Sequence, residues 1–169
     1  MSHALRSAVF FLILISCVGC DQVAKTMARQ SLAASDPVVL LNGWVRLEYA
    51  ENPGAFLSLG AGLPEEARFL LFVVLTSGIL VAAVVLALRD HVTPAQLLGL
   101  SLVAGGGAGN LVDRIVLNGT VVDFLSLGIG PVRTGIFNLA DVAITLGALL
   151  LATLQLRSLS ENPAPPAGS

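Results

Sequence analysis

The chain has 169 residues, of which 55% are hydrophobic, 12% charged and 5% aromatic, with a mean hydropathy of +0.86 and a formal net charge of −2. Globular proteins average about 25% charged residues, so this chain has too little polar surface to cover a water-soluble domain, and its composition assigns it to the membrane. With no basic cluster it also lacks the electrostatic footprint of a nucleic-acid-binding protein.

A hydrocarbon core about 30 Å thick needs roughly 20 apolar residues at about 1.5 Å rise each. The first apolar run, Ser7 to Cys20, is short enough to suit a secretory signal peptide as well as a span. The helical pattern continues through Asp21-Gln22-Val23-Ala24-Lys25, with Asp21 and Lys25 at the i, i+4 spacing that lets opposite charges meet, so a retained first span over about 7–27 is expected. The connection 29–68 is polar and mixed. Within it Val38–Leu41, Asn42-Gly43 and Trp44–Tyr49 predict a strand, a tight turn and a second strand. Trp44 and Tyr49 suit a headgroup anchor and equally suit ordinary hairpin packing.

Phe69 to Leu88, uncharged between Arg68 and Arg89, predicts the second span at 69–88. Val92 to Val112 is also uncharged, Pro94 suits a first helical turn, and charge returns at Asp113 and Arg114, which predicts a third span over 94–114. Its Gly105-Gly106-Gly107-Ala108-Gly109 run is no phosphate loop, because no Lys-Ser/Thr follows; small residues at this spacing let helices approach closely. The Gly-rich connection 117–133 carries Asp123, and the fourth span, 134–156, carries Asp141. The Pro-rich tail, 157–169, is compositionally disordered. Four spans put both termini on one side and both long connections on the other. Arg6, Arg89 and Arg157 flank the first side and Lys25, Arg29, Arg46, Arg68, Arg114 and Arg133 the second, a bias blunted by acidic neighbours and a long connection, so charge does not orient the chain.

Cys17 and Cys20 lie in an apolar run, which argues against a disulfide scaffold or a four-ligand zinc cage; His3 and His91 are the only histidines, so a Ser-His or Cys-His hydrolase would have to be built on one of two unpromising positions, and no HExxH or GxSxG motif is present. Ionisable groups in or beside the hydrocarbon are functional candidates by default. Asp21 has Lys25 one turn on, and Asp113 has Arg114 next to it with Arg29 or Arg68 in reach, so interfacial ion pairs account for both. Asp123 and Asp141 have no Lys or Arg within four residues, and the topology brings both to one side, with Asp141 one or two turns into its span. Two acids converging without a cation share a proton, the condition of an aspartic protease. Two unrelated polar positions at a helix interface, a proton- or ion-coupled transporter using the pair as a relay, and a structural membrane subunit are the competing readings. Asn138 lies three residues before Asp141, Asn110 and Arg114 are one turn apart, and Asn52 sits in Glu51-Asn52-Pro53-Gly54-Ala55-Phe56, all on the side of the two acids. Amides and a guanidinium suit the holding of a substrate backbone or of carboxylates, while capping and turn chemistry also account for asparagines at such places.

In order along the chain, Asp21-Gln22-Val23-Ala24-Lys25, Asn52-Pro53-Gly54-Ala55-Phe56, Gly106 to Arg114, Val121-Val122-Asp123-Phe124 and Phe137-Asn138-Leu139-Ala140-Asp141-Val142 make the chain resemble the lipoprotein signal peptidase (signal peptidase II) family of membrane aspartic peptidases. The departure is Asn-Pro-Gly-Ala-Phe, where the family often has a second Ala before Phe. The resemblance implies an all-α polytopic membrane protein with four transmembrane helices and a small periplasmic β-hairpin or β-cradle, forming one peptidase domain over 1–156. It implies residence in the bacterial inner membrane with both termini cytoplasmic and the active site near the periplasmic face. The implied substrates are diacylglyceryl-modified prolipoproteins, cut just before the lipidated cysteine, with membrane lipids and globomycin-type inhibitors as further partners and neither cofactor nor metal. By position it implies Asp123 and Asp141 as catalytic, Asn52, Gly54, Asn110, Arg114 and Asn138 as substrate-binding, and Asp21 and Lys25 as structural. The likeness of Val18-Gly19-Cys20 to a lipobox is then a coincidence.

Overall fold

A computed structural model describes residues 2–55, 59–89 and 91–161; Phe56 of the Asn-Pro-Gly-Ala-Phe motif and residues 162–169 of the expected tail lie outside the described residues. Helix α1 spans His3–Leu32, strand β1 Val38–Leu40, β2 Val45–Asn52, helix α2 Glu65–Ala87, helix α3 Pro94–Val116, strands β3 Val121–Ile129 and β4 Val132–Arg133, and helix α4 Leu139–Glu161. All four helices are long and apolar enough to cross a membrane.

Helix α3 is the centre of the bundle, with 50% of its apolar stretch buried against 6–11% for the other three. It starts with a reciprocal capping box: the Gln96 N–H donates to Thr93 Oγ1 at 3.2 Å and the Thr93 N–H donates to Gln96 Oε1 at 2.9 Å, with Pro94 in the first turn. The glycine run seats three neighbours at one level. A Cβ on Gly105 would stand 2.6 Å from Cys17 Cβ of α1, one on Gly106 would strike the Ala140 carbonyl of α4, and one on Gly107 would stand 2.9 Å from Leu80 of α2. Outward-facing Leu12, Ile15, Val81 and Leu149 are exposed, as side chains meeting lipid are.

One end of the bundle is sealed by Phe10, Ala83, Ala87, Leu97 and Ala104, and there the Arg6 guanidinium donates to the Arg89 carbonyl, tying the start of α1 to the end of α2. The other end carries an antiparallel sheet in the order β1-β2-β3-β4. The expected hairpin forms, with Val38 opposite Leu47 and Leu40 opposite Val45, and the chain turns through positive φ at Leu41, Asn42 and Gly43. Strand β2 then pairs with β3, setting Asn52 opposite Val121 and Ala50 opposite Asp123, with an irregularity between Leu47 and Ala50.

Two expectations are corrected. The fold is mostly helical but not all-α, since the connection 117–133 supplies β3 and β4 and completes a four-stranded sheet. Its ladder partner lies far upstream in the chain, and a segment with Asp123 and several glycines reads as loop until that partner is known. The fourth helix begins at Leu139, not at 134, because Phe137 pairs with Leu125 and holds 134–138 against the sheet; it then runs on through Glu161, into the tail expected to be disordered. Asp141 therefore lies in the first turn of α4, not one or two turns inside it.

Candidate active site

A cavity of about 240 Å³ opens where α2, α3 and α4 meet the sheet, and Asn52, Gly54, Asn110, Arg114, Asp123 and Asp141 all line it. Asn138 stands behind the two acids, fully buried, and Asp21 and Lys25 stand behind Asn110.

Asp123 sits on β3 and is 2% exposed, so its carboxylate meets protein donors in place of water. Asn52 Nδ2 donates to its Oδ2 at 2.8 Å and Asn138 Nδ2 to its Oδ1 at 2.7 Å. Burial, aided by the neighbouring Asp141 charge, pushes the Asp123 carboxyl up to about 6, against the opposing pull of the Asn52 and Asn138 amides and the Lys25 ammonium.

Asp141 is held by a second capping box, in which the sequence spacing Asn-x-x-Asp does the work that Ser-x-x-Glu does elsewhere. The Asp141 N–H donates to Asn138 Oδ1 at 2.9 Å, and the Asn138 N–H donates to Asp141 Oδ2 at 3.2 Å. Asn110 Nδ2 donates to the other oxygen, Oδ1, at 2.9 Å. Asn138 thus bonds both acids at once, through its side chain to Asp123 and its backbone to Asp141. Capping and a role at the site, rival readings of the sequence, are here one geometry.

Asn52 shapes the turn that roofs the cavity: its Oδ1 accepts the Gly54 N–H at 2.9 Å and its Nδ2 also donates to the Ala55 carbonyl at 3.0 Å. Arg114 braces the same turn, donating from Nη2 to the Gly54 carbonyl at 2.8 Å while its guanidinium lies 5.2 Å from the centre of the Phe72 ring. This corrects the ion pair expected for Asp113. Arg114 points to the turn, and Asp113 instead meets Lys25 at 3.1 Å and accepts from Gln22 Nε2 at 2.8 Å. Lys25 also forms the expected pair with Asp21, at 2.7 Å.

Sequence reasoning missed Gln22 and Phe72. Gln22 lies within the run that carries Asp21 and Lys25, and its i, i+3 spacing from Lys25 was the available signal. Phe72 has none, since it is one more apolar residue of a span; it enters the cavity wall from a π-helical turn, Leu70–Leu75, a distortion common near functional sites.

Four apolar helices around a cavity lined by one buried and one half-buried acid define a multi-pass membrane protein with an internal chemical site. The chain belongs to the signal peptidase II family of proteases: the family model described as Signal peptidase (SPase) II matches residues 13–157. Among its relatives, the lipoprotein signal peptidase of Streptomyces coelicolor is 33% identical over 93% of this chain and 74% of its own length. That of Moorella thermoacetica is 37% identical over 84% of this chain and 89% of its own. A bacterial membrane enzyme solved by the in meso method at 2.3 Å resolution superposes with a TM-score of 0.80 at 28% identity, covering 95% of both chains.

Proposed function

We propose that this protein removes the signal peptide from diacylglyceryl-modified prolipoproteins, cutting just before the lipidated cysteine, with Asp123 and Asp141 as the acid pair that activates water. The observation that carries this reading is that both carboxylates open on one cavity while Asn138 bonds to each. The peptidase unit is residues 1–156. It lies in the inner membrane with both termini cytoplasmic, so that the sheet and the acids face the periplasmic side.

Asp123 holds the shared proton, and Asp141, at the positive end of α4 with N–H donors on both oxygens, takes a proton from water as that water attacks the scissile carbonyl. Asp123 passes its proton to the carbonyl oxygen, giving a neutral gem-diol. As the diol collapses, Asp123 regains a proton from it, the C–N bond breaks, and Asp141 delivers its proton to the leaving amine. Asn52, Gly54, Asn110 and Arg114 hold the substrate backbone across the cavity, where a globomycin-type peptide would compete. The acyl chains remain in lipid, and each buried methylene contributes about 0.8 kcal/mol, binding energy that positions the carbonyl over the acids.

The test incubates the purified protein in lipid micelles with a prolipoprotein that does or does not carry diacylglycerol, and reads product masses. Cleavage of the modified form alone, immediately before the cysteine, is expected. Cleavage without lipid, or none together with proton or ion flux in vesicles, would overturn the assignment, the latter in favour of a transporter.

The pH dependence follows from Asp123. Below about 6 it carries the proton that the mechanism requires, and above about 6 both acids ionise. The kcat/KM profile, which reports the free enzyme, is therefore expected to fall with rising pH beyond about 6, approaching about tenfold per pH unit. A flat profile from pH 5 to 8 would contradict this assignment of the proton.

A further inference from the structure

We infer that Lys25 is a positioning residue for the acid pair, a single ammonium that sets the spacing of Asp123 and Asp141 through three separate connections; this rests on the function proposed above. Lys25 is 3% exposed on α1, and it meets three acceptors: Asp21 Oδ2 at 2.7 Å, Asp113 Oδ2 at 3.1 Å and Asn110 Oδ1 at 2.9 Å. An ammonium has three N–H donors, so each has a destination.

Each destination leads to one of the acids. Asp21 Oδ1 accepts the N–H of Ala140, the residue before Asp141, at 2.9 Å. Asp113 Oδ2 accepts the N–H of Val122, the residue before Asp123, at 2.9 Å. Asn110 receives Lys25 and Asn138 Nδ2 on its one carbonyl oxygen, at 2.9 and 3.1 Å, which fixes its amide so that Nδ2 faces Asp141. The two backbone segments that present the acids are thus fastened, one residue upstream of each, to carboxylates that share a cation. Gly109 makes this possible, because a Cβ there would stand 2.8 Å from Asp21 Oδ2. Structural ion pairing alone does not call for both anions to be spent on the residue preceding an active-site acid, nor for the third donor to orient the amide that bonds Asp141.

The charged groups around Asp123 are Asp141 of α4, Asp21 and Lys25 of α1, and Asp113 and Arg114 of α3; Glu51 of β2 is turned to the Tyr49 hydroxyl. Removing the Lys25 charge takes away one influence that holds the Asp123 carboxyl down. The experiment compares Lys25→Met with Phe10→Ala, a variant in the remote apolar cluster, using cleavage kinetics from pH 5 to 8 together with thermal unfolding. Lys25→Met is expected to lower kcat 10- to 100-fold with KM within twofold, as expected for a small displacement of reacting groups, and, through loss of its charge, to move the pH limb upward from about 6. Phe10→Ala, at a comparable loss of stability, is expected to leave both kcat and the limb in place.

A folded Lys25→Met variant with unchanged kcat and limb overturns the positioning role, as does a Phe10→Ala variant that reproduces the whole Lys25→Met pattern. Should Lys25→Met fail to fold, Asp113→Ala decides, since it cuts the connection to Val122, together with the Gln22 bond, and leaves those through Asp21 and Asn110 in place; a lowered kcat with a displaced limb supports the role and wild-type behaviour overturns it. Full activity of Asp123→Asn or Asp141→Asn would remove the acid pair itself, a result distinguishable from an inert Lys25.

Discussion

Asp123→Asn and Asp141→Asn are each expected to lower kcat by about 10²–10⁴-fold, because either one removes a proton donor or acceptor whose role is typically worth that much. The amide keeps the shape of the carboxylate but cannot exchange a proton with water or with the carbonyl oxygen. Neither variant should unfold the protein. Each acid accepts a hydrogen bond on both oxygens, and the substitution keeps one acceptor while turning an amide N–H towards the other donor, Asn52 or Asn138 at Asp123 and Asn110 or the Asn138 backbone at Asp141. One mismatched buried bond costs about 1–3 kcal/mol, visible as a lowered unfolding temperature. Single-turnover cleavage read beside thermal unfolding separates the two effects. A well-folded variant that cleaves at the wild-type rate would exclude its acid from the mechanism.

Gly106→Ala is expected to reduce both stability and cleavage, from a position that bears no functional group. The added Cβ would collide with the Ala140 carbonyl, where backbone must give way, and stand 2.8 Å from Ile144 Cγ1. Overpacking of this kind costs about 1–3 kcal/mol and occasionally more, and relief requires α4 to move away from α3. The displaced segment is the one next to Asp141, while Asn110, one turn beyond Gly106 on α3, holds the other end of a 2.9 Å bond to that acid. A shift of about 1 Å can cost about 10²-fold in rate, so a fall in kcat at least as large as the stability loss predicts is expected. Gly62, at which a Cβ meets nothing within 4 Å, is the matched control, and Gly62→Ala should cleave normally. Wild-type kinetics from Gly106→Ala would show that the two helices can separate without moving the acids.

The helices were legible because hydropathy over 20 residues is a local property; Phe69 to Leu88 needed nothing but its own composition, and Pro94 marked the start of α3 to the residue. The acids and their asparagines were legible for a related reason, since a carboxylate near hydrocarbon without a nearby cation is conspicuous in any context. What the chain hid was relational. Strand β3 depends on a ladder with β2, and nothing in Val121 to Ile129 announces that partner. The start of α4 depends on Phe137 pairing with Leu125, which overrides a run that is apolar enough to be helical. Asp113 stands beside Arg114 in sequence, but on a helix adjacent residues point about 100° apart, so the neighbour was never a natural partner. Its cation comes from α1, a contact that only the packing of two helices could reveal.

The order of these parts along the chain sets when the site can exist. Asn52 is made early, Asp123 late, and Asp141 only with the fourth helix, while β3 has no ladder until it returns to β2. On the proposed mechanism a nascent chain with three helices inserted holds no complete acid pair, whatever its other contacts. On that reading the protease is chemically silent until its fourth helix is in place, and its activity reports an assembled bundle.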